Sequence, residues 1–240
     1  MPMTTYRLTE DSYACLAGDY LVFSDLRSDM YRCLSRENTE ILLRSIPGFQ
    51  MTNAPPAADA DCTDEAHLQR VTGVLSSAGL ICNAASGRPF APVRLPAPTA
   101  SVVSNSCPAA PSPNPGHFPS FLHACLKASA MLRMQSIRRT VRSVEAQRRR
   151  LGRANRRGPD LMHKLARSFH RMRPYYARAY LCRFDSLALI EFLFGHGCLP
   201  QWVFGVKCEP FAAHCWVQDD NYVLNDSVEY VQRFTPIMAF

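Results

Sequence analysis

The sequence predicts an α+β fold in two domains, and three observations carry that prediction. Short apolar and aromatic runs fill the first 34 residues and give way to helical spacing. A proline-rich stretch then interrupts all periodicity, and the last sixty residues run helix, strand, strand. With 240 residues, 47% of them hydrophobic, the chain can bury two modest cores.

Residues 12–16 and 20–23 read as strands joined at Ala17-Gly18-Asp19, and a second turn at Arg27-Ser28-Asp29 leads into a third strand over residues 30–34. Ser35 can cap a helix reaching about Ile46, which Pro47-Gly48 stops. Thr63 can cap another, with Leu68, Val71, Val74, Leu75 and Ala78 on one face, Gly79 as its stop and Leu80-Ile81 as a closing strand. Three strands followed by helices resemble the small winged-helix peptide-recognition domain shared by many peptide-modifying systems, over roughly residues 6–83. Residues 1–83 hold eleven acids against six arginines, which argues against a DNA-binding surface. A sheet edge can instead accept a peptide as an added strand, here along Met30, Tyr31, Arg32, Cys33 and Leu34.

Nine of the eighteen prolines fall between Pro89 and Pro119, so residues 84–119 are expected to be a linker without core contacts. Residues 121–150 then show helical spacing of Leu122, Cys125, Leu126, Ala130 and Met134. A break follows at residues 152–159, and a further helix over 161–173 should stop at Pro174. The net charge of +7 is local: residues 133–157 hold ten arginines and one acid, leaving the rest at −2. That cluster reads as a solvated helix face, as a dock for an acidic protein or peptide, or as an RNA or membrane surface, the last disfavoured by the absence of interleaved aromatics.

A nucleophilic cysteine needs an activated thiol, a base and a group that orients the base. Cys182 opens the apolar run CRFDSLALIEFLFGHG and so sits at a helix start, where unpaired N–H groups and the helix dipole favour a thiolate. His214 lies in the strand PFAAHCWVQ, with Trp216 on its face and Cys215 on the other. A hairpin loop of three or four residues from Gln218 would bring Asp226 opposite His214 or one residue displaced. No CxxC pair occurs, so no metal site is expected; the ten cysteines are expected to be mostly free thiols in a cytoplasmic protein without signal peptide or membrane span.

The segments CRFDSLAL, LPQWVFGVKCEPFAAHCWVQ and YVLNDSVEYVQRFTPI resemble the leader-peptidase B proteins of lasso peptide biosynthesis. Their catalytic domain is similar to the transglutaminase and papain core. The resemblance implies a cysteine protease over residues 120–240, with Cys182, His214 and Asp226 as triad and no cofactor. It implies a winged-helix-like leader-recognition domain over residues 1–83, a precursor peptide as substrate, and a separate ATP-dependent lasso cyclase as partner. The residues after the nucleophile, Arg183-Phe184-Asp185, depart from the family run. The rival functions are an acyltransferase on the same core and a non-enzymatic adaptor that binds peptide or RNA.

Overall fold

The computed structural model describes residues 6–45, 62–83, 87–103, 115–152 and 158–240; the expected stop at Pro47-Gly48 lies outside them. The fold is α+β, with two compact units. One comprises Met1–Val93, Val206–Ala212 and Thr235–Met238, the other Arg94–Gly205, Ala213–Phe234 and Ala239–Phe240.

In the first unit, β1 (Arg7–Leu8) precedes a meander of β2 (Ser12–Ala17), β3 (Tyr20–Asp25) and β4 (Met30–Cys33), antiparallel in the order β2-β3-β4. Ala17 pairs with Tyr20, so the first turn has two residues, and Gly18 takes the left-handed conformation at φ 61° that such turns require. Asp25 shapes the second turn by accepting from the Arg27 N–H and the Ser28 hydroxyl. Leu21 and Phe23, two apart and therefore on one sheet face, pack with Leu42 of α1 (Arg36–Ser45) and with Val71 and Leu75 of α2 (Cys62–Ser77). Ser35 Oγ accepts from Asn38 N, as a cap should. The second helix starts one residue before Thr63, so Thr63 lies inside it rather than at its cap, and Val74 is 65% exposed rather than on the buried face. Gly79 ends the helix at φ 67°, and β5 (Ile81–Cys82) pairs with β1.

The proline-rich stretch departs from the expected free linker. Arg88 bridges Leu8, and Phe90 packs edge-on against Phe23 at 6.3 Å. Farther on, β6 (Ala100–Ser101) pairs in parallel with β9 (Tyr222–Val223). Proline excludes helix here, but the extended backbone it favours is also the conformation that can join a sheet edge.

The second unit begins with α3 (Phe118–Met134) and α4 (Ile137–Leu151), two helices where the spacing predicts one. Gln135 is extended and Ser136 caps α4 by accepting from Arg139 N, so the break is built from capping chemistry. The buried face of α3 is Phe121, Ala124, Cys125, Ala128 and Met131; Leu122, Leu126 and Met134, expected inside, are exposed. Both stripes have helical spacing, and the one rich in alanine packs against α6 (Cys182–Gly195). On α4 the apolar residues Ile137, Val141 and Val144 point inward and Arg139, Arg142, Arg149 and Arg150 are exposed, while the half-buried Arg148 donates to the carbonyls of Pro200 and Phe240. Then come α5 (Pro159–Met172) and α6, whose residues 186–194 are all buried; Glu191 among them accepts from Lys127 Nζ at 2.6 Å. The sheet that follows contains β7 (Gln201–Cys208), β8 (Phe211–Asp219), β9, and, after the short α7 (Val228–Val231), β10 (Thr235–Ala239), in the order β10-β7-β8-β9-β6.

Candidate active site

Cys182 is the first residue of α6 and is exposed, while Phe184 and residues 186–194 are buried. The segment leading to it is clamped. Arg173, 2% exposed, pairs through Nε with Asp185 and donates to the carbonyls of Tyr176, Arg178 and Ala179, and Asp185 Oδ2 accepts from Leu181 N at 2.7 Å. Asp185 therefore reaches back to the N–H before the helix, a capping role that explains its presence after the cysteine.

His214 lies on β8 within a wall of Trp216 (6.1 Å, stacked), Tyr230 (5.0 Å) and Phe234 (5.3 Å). Gly205 on β7 makes that wall dense: a Cβ there would come 2.8 Å from Trp216 and 2.9 Å from Phe234. The turn after β8 has two residues, not three or four, with Asp219 opposite Tyr222 and Asp220 at φ 52°. Continuing that register puts position 227 opposite His214, so Asp226 is the neighbour displaced by one. Its Oδ2 lies 2.7 Å from His214 Nε2 and its Oδ1 accepts from Ser227 N at 2.8 Å. Its carbonyl accepts from Ser101 Oγ at 2.6 Å, and two residues earlier the carbonyl of Leu224 accepts from His170 Nε2 at 2.7 Å.

The structure thus brings Cys182, His214 and Asp226 together, with the Cys182 thiol hydrogen-bonded to His214. Residues 122–239 match the transglutaminase-like superfamily. The matched stretch is thus similar to that superfamily over a little less than half of the chain. No curated protein and no solved structure matches the chain.

At this site the electrostatics separate charge between Cys182 and His214. Hydrogen bonds from Cys215 first and His214 second outweigh burial and hold the Cys182 thiol down at about 4. Burial is the largest influence on His214 and pulls its pKa down, but the hydrogen bonds to Asp226 and Cys182 more than offset it and lift the imidazole to about 9. Between those values the pair is thiolate and imidazolium.

Cys215 is on the strand face opposite His214, as alternation predicts, and is buried at 2% exposure; burial above all pushes its thiol well above the ordinary value. Asn225 ties β8 to α6: its Oδ1 accepts from Val217 N at 2.7 Å and its Nδ2 donates to Ser186 Oγ at 3.0 Å. Trp202 and Trp216 are both buried, as core residues.

The residues singled out for peptide docking lie apart in the chain. Met30, Tyr31, Arg32 and Cys33 form β4, an end strand of its three-stranded sheet; Leu34 follows it and packs partly against the core. Among the described residues no group of three His, Cys, Asp or Glu side chains could hold a metal ion, eight cysteines, Cys182 among them, are free thiols, and no helix is long and apolar enough to cross a membrane.

Proposed function

We propose that this chain is a cysteine protease that removes the leader from a ribosomally made lasso peptide precursor, with Cys182 as nucleophile, His214 as acid and base, and Asp226 as the group that orients the imidazole. The observation that carries the reading is the connected set: a helix-start thiol, a histidine bonded to it, and a carboxylate 2.7 Å from the other ring nitrogen, inside a transglutaminase-like domain. The sequence segments that resemble lasso B proteins narrow the substrate class.

The reaction begins with the Cys182 thiolate attacking the scissile carbonyl. The first N–H groups of α6 face the developing oxyanion, and the Cys182 backbone N–H is the donor closest to it. His214 Nδ1 gives its proton to the leaving amine, which departs and leaves a thioester. His214, now neutral, takes a proton from water as it attacks the thioester, and the acid product leaves with the thiolate restored. Asp226 holds Nε2–H throughout, so that Nδ1 faces the sulfur.

The leader, in this reading, adds a strand to the outer side of β4 in a winged-helix-like domain. Leu34 N donates inward to Leu21 O, so by antiparallel alternation Arg32 and Met30 also bond inward while the N–H groups of Tyr31 and Cys33 face outward. Those are the groups a peptide strand would use. An ATP-dependent cyclase, acting on the released core in the cytoplasm, is the partner this function requires. Incubating the full chain with the small precursor peptide encoded beside its gene, followed by mass analysis, tests the proposal. Leader and core separated by one water mass support it, an amide-linked adduct makes it an acyltransferase, and an unchanged peptide refutes it.

A further inference from the structure

We propose that Cys33 and Cys208 are a redox modification site: two thiols that close to a reversible disulfide and tie edge strand β4 to the end of β7. Their sulfurs lie 4.0 Å apart, and both residues belong to the first compact unit. The inference does not depend on the protease reading.

Neighbouring contacts hold the pair in place. Cys33 lies opposite Val22 across β3 and β4, and Val22 opposite Cys15 across β2 and β3, so these three side chains form a row on one face of the meander. Leu21 and Phe23 point to the other face, where the helices pack. Tyr20 and Tyr31, each two positions from a member of the row, alternate onto the row's own face. Both grip the chain just after Cys208: the Tyr20 hydroxyl donates to Glu209 Oε1 at 3.1 Å, and the Tyr31 ring lies 5.9 Å from that of Phe211. With the backbone fixed on both sides, closing the last ~2 Å to a bonded pair of sulfurs is a matter of side-chain rotation.

Exposure marks the pair out as well. Free cysteine is among the most buried residue types, yet Cys33 is exposed, as is Cys182 of the candidate active site, and Cys208 is half-buried. Cys15 completes the row at 4% exposure; burial above all pushes its thiol up to about 12, so it keeps its proton and takes no part. The Cys208 thiol is pushed up to about 11, by burial first and by Cys33 next. Cys33, the exposed partner, therefore opens the exchange.

The oxidant is a low-molecular-weight disulfide. Cys33 thiolate attacks one of its sulfurs; the small S–S bond breaks, a bond to Cys33 forms, and one small thiol leaves with the proton that Cys33 gave up. Capping Cys33 removes its share of the upward push on Cys208. Cys208 then loses its proton, attacks Cys33 Sγ and displaces the second small thiol, which takes that proton. Two protein thiols are oxidised and one small disulfide is reduced to two thiols. In a reducing compartment the pair stays open until that balance shifts.

The test treats the full chain, reduced beforehand, with millimolar glutathione disulfide at mildly alkaline pH. Remaining thiols are trapped with N-ethylmaleimide and links are mapped by tandem mass analysis of tryptic peptides, where cleavage after Lys207 puts Cys208 first and tells it apart from Cys215. Cys33 should be joined to Cys208 within one chain, and excess reduced glutathione should restore both thiols. Because folding supplies the proximity, the link should form at least about tenfold faster than in the chain unfolded in guanidinium. Cys208→Ser, or Cys208→Ala should the serine variant not fold, should leave Cys33 carrying one glutathione. In the closed form, hydrogen exchange of the β4 amides should slow about tenfold, since the tie opposes local opening of the edge strand. A Cys33 that keeps glutathione in the folded unsubstituted chain, that pairs with Cys15 or Cys182, or that links equally fast when unfolded overturns the inference. So does β4 exchange that the disulfide leaves unchanged.

Discussion

Ser101 Oγ donates a 2.6 Å hydrogen bond to the backbone carbonyl of Asp226, and the same oxygen accepts from Val103 N at 3.0 Å. A residue from the proline-rich stretch therefore helps place the carboxylate that holds His214. The segment between the two predicted domains is part of how the site is built.

If Cys182 is the nucleophile, Cys182→Ala removes cleavage, on the order of 10⁶-fold by analogy with other covalent enzymes, while the exposed side chain leaves folding intact. Asp226→Asn should keep residual turnover, slower by about 10² to 10⁴, because the orienting group is not itself consumed. Steady-state rates on the precursor peptide, with circular dichroism on each variant, check both. Wild-type cleavage by Cys182→Ala would end the assignment.

The pH dependence follows from the separated charges. The Cys182 pKa is lowered, so the thiolate is lost as pH falls through about 4; the His214 pKa is raised, so the imidazolium is lost as pH rises through about 9. kcat/KM should be flat between those limbs. Asp226→Asn should bring the alkaline limb to lower pH, since the carboxylate is one of the two bonds lifting His214. An alkaline limb that does not move in that variant would mean another group controls it.

Much of this arrangement is legible from sequence because it depends on local rules. The meander, the caps at Ser35 and Gly79, the thiol at the start of α6 and the carboxylate one residue off the His214 partner all follow from turn chemistry, capping and strand alternation. What escapes is set by packing between elements distant in the chain. Which of two helical stripes on α3 is buried depends on α6, and the bond from Ser186 Oγ to the Cys215 carbonyl depends on where α6 lies against β8. Arg173, His170 and Ser101 act across 12, 54 and 125 positions, and no spacing rule reaches that far. Asp185 did leave a signal, an acid in the first turn of a helix, with a local meaning that the Leu181 N–H supplies.

Gly205→Ala should destabilise the unit that holds His214 by about 1 to 3 kcal/mol, because the added methyl meets the buried ring of Trp216 and the Cβ of Phe234 rather than a flexible chain end. Both rings touch His214, so kcat should fall along with the melting temperature. Thermal unfolding and kinetics on the same sample decide it; a neutral substitution would show that the wall has slack.

Docking of the leader on β4 predicts an unusual tolerance. Tyr31→Pro and Cys33→Pro remove N–H groups that face away from β3, so the sheet should survive while KM for the full precursor rises about tenfold or more. Arg32→Pro, which removes an inward N–H, should instead lower stability. Leader affinity measured by fluorescence anisotropy that is unchanged in the first two variants would move the docking site elsewhere.

The Ser101 contact sets where the chain can be divided. A cut near Pro108 leaves Ala100–Ser101 on the N-terminal piece, so the C-terminal piece lacks the strand beside Tyr222–Val223 and the hydrogen bond to Asp226. A cut after Val93 keeps both with the second unit, which begins at Arg94. Losing one partly buried hydrogen bond costs about 1 kcal/mol, or roughly fivefold in a rate that depends on it, and losing a strand costs more. Ser101→Ala in the full chain should therefore slow cleavage about three- to tenfold without changing leader affinity. Of the split enzymes, the one cut after Val93 should alkylate Cys182 as fast as the intact chain and need its N-terminal piece only for cleavage of leader-bearing peptide, with activity rising as that piece is added in micromolar excess. The one cut near Pro108 should need its N-terminal piece for both. Equal behaviour of the two splits would show that Asp226 is held without Ser101.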